Sequence, residues 1–342
     1  MNRGAALLES VRDIVPQWGV AVAAAVTRLG DGLLLLALGI GASWAIAWRR
    51  TSHRGRQFGS GRPFRRSDGS WFLAVIIGGL ATMTTLKHLF SLPRPEPATV
   101  EPTVFPSPIR SVSRSSASAD GYGFPSGHAV GATVTYGLFA MVFEAGTRRL
   151  RLAGAGVIVA TVCLTRLVLG VHYPLDVVAG VAVGCCYLAG VRWLLERSPV
   201  DRTTTAFALA LGLAGAAMVA SGRADSAVAY AALAAGALAG WTLEQSTRPL
   251  GSTAVNRRRR EPAALLGAVV FLAVVGTVVV SSGPSNLVVP AALLGLLSVL
   301  MALALSRLRL AGPAPCRSRR RHGERRPNPF ALPTPSRTYA RR

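Results

Sequence analysis

The sequence predicts an all-α protein that crosses a membrane several times. Two observations carry this. Mean hydropathy is +0.40 over the chain, and long apolar runs recur from Gly32 to Ser306. Such runs, close to the length that spans a bilayer, are the mark of transmembrane helices. A third observation sets their number and direction. Connections rich in arginine alternate with connections that hold few, as the positive-inside rule requires.

In chain order, the first stretch is mixed. Leu7, Leu8, Val11, Val15 and Trp18 recur at helical spacing with Glu9, Arg12 and Asp13 between them, and Pro16 interrupts the run. Residues 1–30 are therefore expected to form an amphipathic segment on the membrane surface. Nothing there has the basic start, apolar core and small-residue cleavage site of a signal peptide. Spans are expected over Gly32 to Trp48, Trp71 to Leu92, His128 to just before Arg148, Leu152 to Val171, and Pro174 to Leu195. Four more follow over Thr204 to Ser221, Ser226 to Leu243, Ala263 to Ser281, and Leu287 to Ser306. The expected divisions are a surface segment at 1–30, a core at 31–222, additional spans at 223–306 and a basic, Pro-rich, disordered tail at 307–342.

The net charge of +23 could point to nucleic acid. Its distribution does not. The arginine-rich links are Arg49 to Arg66, Arg148 to Arg151, Arg192 to Arg202, Arg248 to Arg260, and the tail. The intervening links hold only Arg94, Arg110 and Arg114, then none, then Arg223. Membrane topology accounts for this pattern, so no nucleic acid partner is expected. Nine spans with an external N-terminus and a cytoplasmic tail fit it. Of the four cysteines, Cys163, Cys185 and Cys186 fall in spans and Cys316 in the tail. None has metal-ligand spacing.

This topology brings three polar groups to the external side. The first is Lys87 to Pro95, where Lys87 and Arg94 stand seven apart, near two helical turns, and can share a face. Taken singly, each could be an interfacial, snorkelling residue. The second is Gly123-Phe-Pro-Ser126-Gly127-His128. Ser126 is a candidate N-cap, and free N–H groups at a helix start make an anion cradle. The third is Thr165-Arg166-Leu-Val-Leu-Gly-Val-His172-Tyr-Pro-Leu-Asp176. Pro174 suits a first helical turn, which puts Asp176 where it can orient His172. A buried His–Asp pair that only fixes a helix end would share this pattern. An arginine inside a span, however, needs a partner.

Together these groups offer three cations, a helix N-terminus, two histidines and a carboxylate. That set suits phosphoryl transfer through a histidine. No acidic cluster accompanies it, so no metal or other cofactor is expected.

In order, Lys-x6-Arg-Pro, Pro-Ser-Gly-His and Arg-x5-His-x3-Asp resemble the type 2 phosphatidic acid phosphatase superfamily, which shares its fold with vanadium haloperoxidases. The resemblance covers Lys87 to Asp176, with Thr165 where the family usually has serine. It implies a six-helix core, leaving about three extra C-terminal spans. It also implies that Lys87, Arg94, Arg166, Ser126 and Gly127 bind phosphate, that His172 is the nucleophile, His128 the general acid and Asp176 the partner of His172. The expected activity is hydrolysis of a lipid phosphate or diphosphate at the outer leaflet. A transferase using a lipid or sugar acceptor, and a non-catalytic lipid-phosphate carrier, are the alternatives.

Overall fold

The computed structural model describes residues 3–52, 69–95, 121–247 and 288–308. The proposed span at Ala263 to Ser281, most of the long external loop and the basic tail with Cys316 lie outside the described residues.

The described chain is helical, without strands. Ten helices follow in order: α1 Ala5–Ile14, α2 Gln17–Val26, α3 Gly32–Ser52, α4 Trp71–Phe90 and α5 Gly127–Val142, then α6 Arg148–Val168, α7 Pro174–Arg197, α8 Arg202–Ala220, α9 Asp225–Thr247 and α10 Val288–Leu308. A 3₁₀ turn, Thr27–Gly30, joins α2 to α3. The helix boundaries have local causes. Pro16 separates α1 from α2 and Pro174 opens α7. Asp201 caps α8 by accepting from the Thr204 N–H at 3.0 Å, as expected of an N-cap aspartate.

Helices α4, α6, α7 and α8 are long and apolar enough to cross a membrane. The pair Gln17–Gly30 and Gly32–Ile46, bent by 44°, would make a fifth crossing if taken as one span. Thus the second half of the expected surface segment is an apolar helix running towards α3. It packs inward: Ala23 and Ala24 form a buried cluster with Leu169 and Val171 beyond the end of α6.

The main core gathers α3, α4, α5, α7, α8, α9 and α10. Helix α4 is its axis, with Trp71, Phe72, Leu73, Ile76 and Ile77 fully buried. The Phe72 ring meets Phe139 of α5 edge-on at 5.0 Å. Leu233, Ala237 and Trp241 of α9 and Val299 of α10 belong to the same buried cluster. The Trp241 indole also donates to Thr204 of α8 at 3.0 Å. The described helices beyond residue 223 therefore share the core of the bundle. The outer faces of α6 and α7 expose Val157, Leu164, Val178 and Trp193. Such faces suit lipid tails, which offer no polar partner.

Candidate phosphate site

Three of the polar groups singled out above come together at one end of the bundle. Two hydrogen bonds fix the junction. The Ser126 N–H at the start of α5 donates to the Asp176 carbonyl at 2.9 Å. The Gly123 N–H donates to the Leu92 carbonyl at 2.8 Å. The start of α5 is thereby tied both to the first turn of α7 and to the segment after α4.

Helices α5 and α7 can approach this closely because of Gly180 and Gly184. A Cβ on Gly180 would stand 2.8 Å from the Ser126 carbonyl oxygen and from Ala129 Cβ. One on Gly184 would stand 2.7 Å from Thr133 Cβ. The Gly-x3-Gly spacing visible in the sequence is thus a close helix contact directly behind the site. Gly180→Val is expected to push α5 away from Asp176. The overpacking should cost on the order of 1–3 kcal/mol and lower the thermal midpoint of the purified protein together with its activity. An unchanged midpoint would show that the contact is slack.

Lys87 and Arg94 reach the site, but not as two residues on one helical face. Helix α4 ends at Phe90, and Ser91 takes a left-handed conformation with φ 47°. Its N–H still closes on the Lys87 carbonyl at 2.9 Å. Pro93 disfavours helical geometry at Leu92, so Arg94 sits on a separate segment, where its Nε donates to the Gly121 carbonyl at 3.0 Å. Lys87, Arg94 and Arg166 nevertheless lie within electrostatic range of one another and of His172.

Ser126 holds the N-cap position of α5 in an extended conformation, without a side-chain capping bond. Its hydroxyl is buried and has no hydrogen-bond partner among the described residues. Nε of Arg166 and Nδ1 of His172 are among the other buried polar atoms in that condition, as are the Ser70, Thr133 and Thr135 hydroxyls elsewhere. A buried polar group left unpaired costs about 1–3 kcal/mol. The Ser126 hydroxyl and Arg166 Nε are hydrogen-bond donors, matched to an anion rich in acceptor oxygens. Gly127, next to Ser126, opens the helix, and its missing side chain lets Met83 of α4 pack against it: a Cβ there would stand 3.1 Å from the Met83 Sδ. The other side of Arg166 is held: Nη1 donates to the Thr27 hydroxyl at 2.8 Å. Thr165 turns its hydroxyl to the Val162 carbonyl of its own helix at 2.6 Å.

His172 lies in the turn between α6 and α7, 1% exposed, and Asp176 in α7 is fully buried. Their closest atoms, Nδ1 and Oδ2, stand 3.7 Å apart. That is an electrostatic contact, longer than a hydrogen bond. The carboxylate is engaged elsewhere: Oδ2 accepts the Tyr173 N–H at 3.0 Å and Oδ1 accepts Nη1 of Arg3, also at 3.0 Å. Arg3 also donates to the Pro93 carbonyl at 2.5 Å and stacks 4.4 Å over the Tyr173 ring. Burial, reinforced by Arg166, Arg94 and Lys87, holds the His172 imidazole well below its ordinary value of 6.5. A hydrogen bond to the Gly123 backbone pulls weakly the other way. His172 is therefore a neutral imidazole at physiological pH.

His128, on the first turn of α5, faces a carboxylate that the sequence reasoning did not single out. Its Nε2 is 3.6 Å from Asp31 Oδ1. Arg3 and Thr27 come from the segment read as a surface helix, and Asp31 follows directly after it. The available signal was the polar string Thr27-Arg-Leu-Gly-Asp31 between two apolar runs.

Unpaired buried donors and three basic side chains thus lie near a buried histidine at one end of the helical bundle. Residues 68–199 match the family model of the PAP2 superfamily. No curated protein and no solved structure shows a significant match. The match suggests a phosphatase-type activity for that region, and several helices are long and apolar enough to cross a membrane. The matched region leaves out the segment that carries Arg3, Thr27 and Asp31.

Proposed function

We propose that the protein hydrolyses a lipid phosphate or diphosphate at the outer leaflet, through a phosphohistidine formed on His172, without a metal. The observation that carries this reading is the set of buried, unpartnered polar atoms on Ser126, Arg166 and His172. The first two can donate to phosphoryl oxygens, and the third, 3.7 Å from Asp176 Oδ2, belongs to the proposed nucleophile.

In this reading the substrate phosphoryl group lies against Lys87, Arg94, Arg166, the Ser126 hydroxyl and the N-terminus of α5 with Gly127. These groups stabilise the equatorial oxygens as charge redistributes. Neutral His172 attacks phosphorus, and the N–P bond forms as the P–O bond to the lipid breaks. His128 gives its proton to the departing oxygen. Asp176 stabilises the positive charge that His172 acquires. Water, activated by the now neutral His128, then displaces the histidine and releases phosphate. Placing the site at the end of apolar helices favours an amphiphilic substrate, whose tail stays in lipid while its headgroup enters.

The test is phosphate release by the purified full-length protein from a panel of lipid phosphates in detergent and in vesicles. Release without an added acceptor and in the presence of a chelator is expected. Turnover that requires a hydroxyl acceptor would make the protein a transferase. Binding without turnover would make it a carrier.

Orientation is tested separately. The arginine alternation predicts that reporters fused after Arg66, Arg149 or Arg260 report cytoplasm and that one inserted at Ser116 reports the exterior. A cytoplasmic signal at Ser116 would move the site to the inner leaflet.

A further inference from the structure

Asp31 lies outside the matched family region, yet it is built into the site. Its two carboxylate oxygens have different tasks. Oδ2 pairs with Nη1 of Arg28 at 2.7 Å. Oδ1 faces Nε2 of His128 at 3.6 Å. Three further contacts hold the turn that presents it. Thr27 accepts from Arg166 at 2.8 Å, and the Tyr136 hydroxyl donates to the Leu29 carbonyl at 2.9 Å. Gly30 lies so close to α5 that a Cβ there would be 2.9 Å from His128 Cδ2 and 2.8 Å from Val162 Cγ1. Asp31 also precedes α3, a position acidic residues favour for capping alone. Capping, however, would not direct one oxygen to Arg28 and the other to the histidine.

The charges around His128 supply the reason for such an arrangement. Burial is the first influence against a proton on this imidazole, and Arg166 from α6, His172 from the turn beyond it, Lys87 from α4 and Arg94 from the segment after α4 add to it. Positive neighbours oppose a proton on an imidazole, and a carboxylate supports it. A phosphate cradle is therefore a poor setting for a proton donor unless a negative charge stands on its other side. The side chain of Asp31 is 35% exposed and that of His128 22%, so the pair is partly open to solvent.

We propose that Asp31 is the positioning residue that keeps His128 protonated as proton donor to the leaving oxygen, and that Arg28 fixes the carboxylate for this task. The inference rests on the phosphatase reading above. In the step concerned, His128 releases its proton to the ester oxygen as the P–O bond breaks and the N–P bond to His172 forms. Asp31 stays a carboxylate throughout.

The test compares two substrates across pH with full-length protein in detergent. One is a long-chain alkyl phosphate, whose leaving oxygen needs a proton; the other is an aryl phosphate, whose leaving group does not. For Asp31→Asn, the basic limb of kcat/KM with the alkyl phosphate should move to lower pH by about one unit, a loss of about tenfold above the limb. The aryl phosphate should change by less than about threefold. Asp31→Glu should restore most of the alkyl activity, and Arg28→Ala should give a smaller shift in the same direction. An unshifted limb in Asp31→Asn, or equal losses on both substrates that Asp31→Glu does not repair, would overturn the inference while leaving the phosphatase reading in place. Wild-type protein inert towards both substrates would remove that reading and the inference with it.

Discussion

His172→Ala protein exposed to a phosphate-labelled lipid substrate should retain no covalent label, and its turnover should fall by roughly four orders of magnitude or more, as when an enzyme loses its nucleophile. The expectation rests on placement. His172 is buried in the turn that joins α6 to α7, and Arg166 and Asp176 are within a few residues of it on either side. His128 stands at the more open edge of the site, where a departing group leaves. The companion variants separate the two roles. His128→Ala should still become labelled by an aryl phosphate, because an aryl leaving group departs without a proton. Asp176→Asn should keep some labelling at a reduced rate. Label found on His128, or surviving in His172→Ala, would reverse the assignment.

The same histidine sets one side of the pH profile. A nucleophile must be neutral to attack, and burial among positive side chains holds His172 below 6.5. The sign follows directly. Lowering the pH through its depressed value protonates His172 and ends activity, so the acid limb should lie below 6.5 rather than at it. An acid limb above 6.5 would mean that some other group limits the reaction.

Arg166→Ala is the second large expected effect. Arg166 is 1% exposed, Thr27 holds its Nη1 and its buried Nε is unpartnered. The guanidinium is thus fixed on one side and available on the other, so a phosphoryl oxygen meets it without reorganisation. Loss of such a preorganised contact costs on the order of 10²–10³-fold in turnover. Arg166→Lys should fail almost as badly, since an ammonium cannot both reach Thr27 and present a planar donor to phosphate. Near-normal rates in Arg166→Lys would show that only charge matters at this position.

The site was legible in the sequence where its residues lie in short strings. Ser126, Gly127 and His128 are consecutive, and Arg166, His172 and Asp176 span a single helix end and the next helix start. The glycine pair at 180 and 184 was legible for the same reason. What was hidden depends on contacts between distant parts of the chain. Arg3 bonds Asp176 across 173 positions and Thr27 bonds Arg166 across 139. Hydrophobic periodicity places a helix at a surface but does not say which surface. So the segment before residue 31 looked like a membrane-surface helix, although its polar atoms turn into the site. The helical register joining Lys87 to Arg94 failed for a local reason. Ser91 leaves the helix one residue after Phe90, and the chain then brings Arg94 back by a different path.

The contact between Arg3 and Asp176 has a consequence for how the protein comes into being. At about 5–20 residues per second, a ribosome needs roughly ten to thirty-five seconds to pass from one to the other, given the 173 positions between them. Throughout that interval α1 and α2 exist without the surfaces they are to cover. Arg166 is threaded into the membrane after Thr27 is already there, whereas Asp176 arrives to find Arg3 waiting. The contact between Arg3 and Asp176 therefore cannot close until the first turn of α7 has been made.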